Sequence, residues 1–75
     1  MRLTELTADL QALRENIADE LASINRYEAQ AFTLADEEAK EVVQRIVEEE
    51  KEHVARLVRL LERLDVKQRE ALERA

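Results

Sequence analysis

The 75-residue chain has no cysteine, no glycine, no proline and no tryptophan, and its only aromatic residues are Tyr27 and Phe32. Each absence removes a class of protein. Without cysteine there is neither a disulfide framework nor a thiolate metal site. Without glycine no loop can let its backbone close around a phosphate. A β-rich domain needs turn residues at several places, and the two usual ones are missing. Positive charge is also scarce, with 12 Lys and Arg against 18 Asp and Glu and a net charge of −6. A nucleic-acid partner is therefore not expected, because affinity for it comes from Lys and Arg on phosphates. No apolar run approaches the roughly 20 residues of a membrane span, so no membrane partner is expected either. The opening Met1-Arg2-Leu3-Thr4-Glu5 carries no apolar signal region, and the expected location is cytoplasmic.

What is present is a chain rich in Ala, Glu, Leu, Arg and Val, 40% of it charged, which is the composition of long helices and coiled coils. The fold class expected is all-α. A domain of about 60 residues buries only roughly 60% of its unfolded surface, so so short a chain needs a staple, a metal or a partner. With no cysteine, the last two remain.

Apolar residues recur at Leu6, Leu10, Leu13 and Ile17, and the alternation of four and three continues through position 20 to Ile24, position 27, Ala31 and Leu34. That is a heptad seam, and it predicts a first helix over about 4–33. A second seam runs Ala39, Val43, Ile46, positions 50 and 53, Leu57, Leu60 and Leu64, predicting a helix over about 36–64. The step of five between Leu34 and Ala39 breaks the alternation where Thr33 or Asp36 can cap a helix, and Asp36, Glu37 and Glu38 suit a helix N-terminus. The reading is an antiparallel hairpin, since a single rod of this length would reach ~110 Å. Asp65 with Gln68 three residues on resembles a capping box and opens a short C-terminal helix over about 66–74. Residues 1–75 form one domain, with no internal repeat or linker.

Four seam positions are polar: Glu20 and Tyr27 in the first helix, Glu50 and His53 in the second. Taken singly, each has an ordinary reading. Glu20 can be a solvated edge residue with Leu21 taking the core position, His53 a hydrogen-bonded boundary histidine, and Tyr27 packing with its hydroxyl at the rim. Taken together they converge. With the turn near residue 35, Glu20 and Glu50 stand 15 residues from it on either side, hence at one height. His53, three residues from Glu50, shares its face. Helical side chains lean toward the N-terminus, so the Tyr27 hydroxyl is expected to reach back toward Glu20. Glu48, Glu49 and Glu52 are expected to point to solvent, and Arg56, Arg59 and Arg63 to offset Glu residues and the helix C-terminus.

Two carboxylates and an imidazole suit iron, manganese or zinc. Ferritin-like di-iron proteins take a Glu from each of two helices and a Glu-x-x-His pair from each of the other two. One chain supplies half of that set. A homodimer with the site on its twofold axis, a ferritin-like four-helix bundle, supplies all of it and doubles the core.

The combination of Glu20, Tyr27 seven residues later, and Glu50 and His53 within Glu49-Glu50-Lys51-Glu52-His53 resembles the encapsulated ferritins. These are half-ferritins housed inside encapsulin shells, within the wider ferritin and rubrerythrin superfamily. The resemblance covers roughly residues 10–74. It implies a ferroxidase that oxidises Fe(II) to Fe(III) with dioxygen at a di-iron site between two subunits, for iron storage. Glu20 and His53 would be terminal metal ligands, Glu50 a bridging one and Tyr27 a hydrogen-bond donor beside them. It further implies two iron ions per dimer, with manganese or zinc as substitutes, a ring of dimers, and an encapsulin nanocompartment as partner and location. The chain departs from that pattern at Arg26, where the family carries an aromatic residue. It departs again at Ala22, one of two acidic positions flanking the ligand Glu, while Asp19 keeps the other. The family's shell-targeting tail is not among the 75 residues. Two alternatives follow from the same residues: a rubrerythrin-like di-iron peroxidase, which the lack of cysteine disfavours, and a metal-free coiled-coil interaction module.

Overall fold

A computed structural model describes residues 1–75 as three helices in chain order: α1, Leu3–Thr33; α2, Glu37–Leu64; and α3, Val66–Arg74. There are no strands. The expected helix bounds hold to within a residue. The turn after α1 is made without glycine because it needs no left-handed residue. Leu34 and Asp36 are extended, at φ −68° and −76°, and no residue has positive φ. Of the two expected caps, Asp36 is the one used: its carboxylate accepts from the Ala39 amide at 2.9 Å. Thr33 instead donates back to the Gln30 carbonyl at 3.1 Å, closing the last turn of α1. Asp65 alone separates α2 from α3 and accepts from the Gln68 amide at 3.1 Å. Both breaks in the helical run thus rest on an aspartate that satisfies an otherwise free N–H.

α1 and α2 lie side by side, and α3 continues from α2. The molecule measures 50 × 26 × 14 Å. The smallest dimension is little more than one helix diameter, about 10–12 Å with side chains, so the hairpin is a slab one helix thick. Its two broad faces have no third element over them. Only Ile24, Val47, Glu50 and Leu61 are buried. No helix is long and apolar enough to cross a membrane.

The seam of α1 is the one read from sequence: Leu6, Leu10, Leu13, Ile17, Glu20, Ile24, Tyr27, Ala31 and Leu34 are all buried or half-buried. Glu20, and not Leu21, holds the inward position, and Leu21 is exposed. The seam of α2 differs from expectation. The residues turned inward are Val43, Val47, Glu50, Val54, Leu57, Leu61 and Leu64, with steps of four and three throughout. Ile46 is half-buried like Val43 and Val54, but His53 is exposed and Leu60 is 40% exposed. The reason is that α2 is apolar on two adjacent stripes, Ile46–Leu60 and Val47–Val54–Leu61. Both pass through Val43, Glu50, Leu57 and Leu64, and α1 can cover only one. A face this wide is what a helix presents when it has more than one neighbour.

Candidate metal centre

Glu20 sits in the middle of α1, and Glu50 and His53 sit one turn apart in the middle of α2. The turn is centred between Thr33 and Glu37, so Glu20 and Glu50 come out level, as their equal spacing predicts. The lean of helical side chains toward the N-terminus carries His53 toward the loop and Glu20 away from it, and the two meet. Nδ1 of His53 lies 3.3 Å from Oε1 of Glu20. Two ligands at about 2.1 Å from one ion stand roughly 3.0 Å apart at a right angle and 3.4 Å apart in a tetrahedron, so the separation of a direct hydrogen bond here also falls within the span that a shared metal would need. Arg56, one turn beyond His53, turns to Glu52 at 3.8 Å and leaves the pair free.

Glu50 is 8% exposed, and its Oε2 is buried without any hydrogen-bond partner. A carboxylate oxygen in that position is costly unless a cation or donor comes to it. Glu50 lines one open depression together with Asp19, Glu20, Ser23, Arg26 and His53. The donor set, carboxylate oxygens and an imidazole nitrogen, fits a hard to borderline divalent ion. Within one chain, however, no three acidic or histidine groups close around a common point. The hairpin brings two groups of ligand chemistry together, Glu20 and His53, and leaves the carboxylate of Glu50 beside them unsatisfied.

Tyr27 is half-buried on the α1 seam, but its hydroxyl makes no hydrogen bond to Glu20. Its ring packs under Arg26 instead, with the guanidinium carbon 5.3 Å from the ring centroid. Glu48, Glu49 and Glu52 are exposed, as expected. The periodicity gave no sign of the ion pair between Arg14 and Asp65 at 3.0 Å, which joins α1 to the start of α3 across 51 positions.

Comparison with known proteins gives the family. Residues 8–72 match a family model described as ubiquinone biosynthesis protein COQ7. The chain belongs to the COQ7 family. This family lies within the ferritin-like superfamily and has di-iron members, the class in which a Glu on one helix faces a Glu-x-x-His pair on the next. Two curated relatives from Myxococcus xanthus strain DK1622 are also similar. One, named encapsulin nanocompartment cargo protein EncC, is 38% identical over 68 residues, covering 85% of this chain and 52% of that protein. The other, named encapsulin nanocompartment cargo protein EncB, is 40% identical over 57 residues, covering 76% of this chain and 36% of that protein. The chain thus spans about half or less of the length of these relatives. No solved structure matches it significantly.

Proposed function

We propose that two copies of this COQ7-family hairpin associate through the face bearing Glu20, Glu50 and His53. Together they form a ferroxidase centre that takes Fe(II) as substrate. The unpartnered, buried Oε2 of Glu50 carries this reading. It is a carboxylate oxygen held where only a cation, or a donor from another chain, can satisfy it. Half-buried Ile46 and exposed Leu60 flank His53 at heptad spacing, which supplies an apolar margin for the second copy.

In the dimer Glu20, Glu50 and His53 of each copy would hold the two Fe(II) ions, Glu20 and His53 as terminal ligands and Glu50 as a shared one. His53 exchanges roles as an ion arrives. In the metal-free hairpin Nδ1 faces the Glu20 carboxylate, as a donor would. As a ligand Nδ1 must be bare, so the ring proton resides on Nε2. Each Fe(II) would give up one electron, and the pair would reduce one dioxygen, the oxidant, by two electrons to hydrogen peroxide with two protons taken from solvent. Tyr27 stands two turns nearer the loop as a hydrogen-bond donor, reaching the site once a second copy repacks its ring. The names of the two relatives support delivery of the oxidised iron inside an encapsulin nanocompartment, with the chain as cargo, in the cytoplasm and assembled as a ring of dimers.

The family's link to ubiquinone biosynthesis raises an oxygenase as a second reading. The depression at the ligands has Ala22 as its single apolar residue, among Asp19, Glu20, Ser23, Arg26, Glu50 and His53, which suits an ion better than a quinone. A peroxidase shares the ligands and is separated by comparing dioxygen and peroxide consumed per iron. The deciding experiment is native mass with and without Fe(II), alongside ferric absorbance in air. The proposal expects a dimer or multiple of dimers with one iron per chain and a rise in ferric absorbance. A monomer that takes up no iron sinks it, and so does an assembly indifferent to metal and chelator, which would favour the coiled-coil module.

A further inference from the structure

Arg26 lines the depression of the metal face, yet it forms no ion pair with Asp19, Glu20 or Glu50. Its side chain is tethered elsewhere. Nη2 donates to the Ser23 hydroxyl at 3.3 Å, one helical turn back on the same face, and the guanidinium lies against the Tyr27 ring. The tether has a consequence. In contact with a carboxylate, Arg26 would occupy an oxygen that an ion needs. Held by Ser23 and Tyr27, it leaves every carboxylate oxygen free and acts only through its charge.

That charge is fixed, since a guanidinium is not deprotonated in proteins. The depression therefore holds three carboxylates and one permanent cation, with the His53 imidazole beside them. Its formal charge is two negative, which is the complement of one divalent ion. A trivalent ion in the same place leaves one positive charge uncompensated. Without Arg26 the formal charge would be three negative, the complement of a trivalent ion.

We propose that Arg26 sets the charge selectivity of this face: its guanidinium matches the depression to a divalent ion and weakens its hold on a trivalent one. The inference rests on the metal-binding reading above and deepens it. A site that oxidises its substrate ion must let go of a product one charge higher, and Arg26 biases it toward release. Arg26 is a positioning residue and not a ligand.

The test uses two redox-inert probes, Zn(II) and Tb(III), bound to the whole chain by equilibrium dialysis at low and high ionic strength. Coulomb energy scales with the charge of the ion. Arg26→Gln is therefore expected to tighten Zn(II) about 5-fold and Tb(III) about 10-fold at low salt, with both differences shrinking as salt screens them. Arg26→Lys, which keeps the charge and loses the planar fork, is expected to bind both ions like the wild type. Equal affinities for Arg26→Gln and wild type overturn the proposal, as does equal tightening toward both ions. An Arg26→Lys that behaves like Arg26→Gln overturns it too, because shape and not charge would then be the cause. Wild-type protein that binds neither ion overturns the metal-binding reading itself, and this proposal with it.

Discussion

The two broad faces of the hairpin are built on the same pair of helices and hold different things. Helical spacing puts Glu28 and Phe32 across α1 from Ser23 and Arg26, and Gln44 and Glu48 across α2 from Ile46 and His53. On the first of these faces lies a groove of about 620 Å³ walled by Ala31, Phe32 and Val47, with Phe32 88% exposed. On the second lie two smaller hollows of about 480 and 450 Å³ that share Asp19, Glu20 and His53. The larger hollow is the chemically quiet one. Its apolar walls offer contact area, and every polar side chain around it is exposed. The smaller hollows contain a level pair of ligand types 3.3 Å apart and a buried oxygen with no partner. Unsatisfied polarity, and not size, distinguishes the face proposed to bind the metal.

The sharpest way to break this comparison is to damage each face in turn. Glu50→Ala is expected to lower the rate of Fe(II) oxidation in air at least about 100-fold, since losing even an outer partner of a metal ligand costs 10–100-fold. Phe32→Ala on the other face is expected to stay within about twofold. Ferric absorbance against time measures both. Equal losses would erase the distinction, and a Glu50→Ala variant with full activity would remove Glu50 from the site. Assembly should divide the same way. Leu60→Asp places a charge in the margin beside His53 and is expected to weaken the dimer by tens of fold, read by sedimentation over a concentration series. Phe32→Asp should leave that equilibrium in place. If Phe32→Asp dissociates the dimer and Leu60→Asp does not, the copies meet through the quiet face.

A third measurement stays within one seam. Glu50 is buried one turn from Val47 on the inward stripe of α2, where a well-packed apolar residue often does better than a charge lacking its partner. Glu50→Leu is therefore expected to stabilise the metal-free protein by about 1–2 kcal/mol, whereas Val47→Ala should destabilise it. Thermal unfolding in chelator at one protein concentration compares them. A lower melting temperature for Glu50→Leu would mean that the carboxylate already has a partner in the metal-free assembly.

Much of this was legible in the sequence, and the exceptions share a cause. The α1 seam was readable because its apolar residues form a single stripe, so only one face could turn inward. The level placement of Glu20 and Glu50 follows from counting 15 residues outward from residue 35 on either side, next to the Asp36 cap that fixes the turn. The α2 seam departs from its expected line by one position at His53 and Leu60, because Val54 and Leu61 beside them are apolar and take the inward place. A local pattern cannot choose between two adjacent stripes; only the partner helix does. The same limit hid the Arg14–Asp65 pair, which no periodicity links, and the turn of Tyr27 toward Arg26, where a cation beside the ring competes with Glu20 for the side chain. The doubled stripe on α2 was nonetheless a signal. It marks a helix with room for a second neighbour, on the side where the ligands lie.

The smallest expected effect concerns a carboxylate with the opposite circumstances to Glu50. Asp65 accepts from the Gln68 amide and from Arg14. The Gln68 amide first, and Arg14 after it, hold the Asp65 carboxyl below its ordinary value of 3.8. A group with a depressed folded pKa favours the folded state above its unfolded pKa, and that contribution disappears as pH falls through the lowered folded value. The start of α3 should accordingly keep its cap at pH 4 and above and loosen only in stronger acid. An NMR titration of the Asp65 carboxyl carbon is expected to show a midpoint below 3.8, with the Gln68 amide shift moving in step. Arg14→Gln should raise that midpoint slightly and leave the Gln68 response in place, because the amide is the larger cause. A midpoint at or above the ordinary value would mean that Asp65 is no better satisfied than Glu50. The contrast between a carboxylate completed within one chain and one left for a second chain and a metal to complete would then lose its reference.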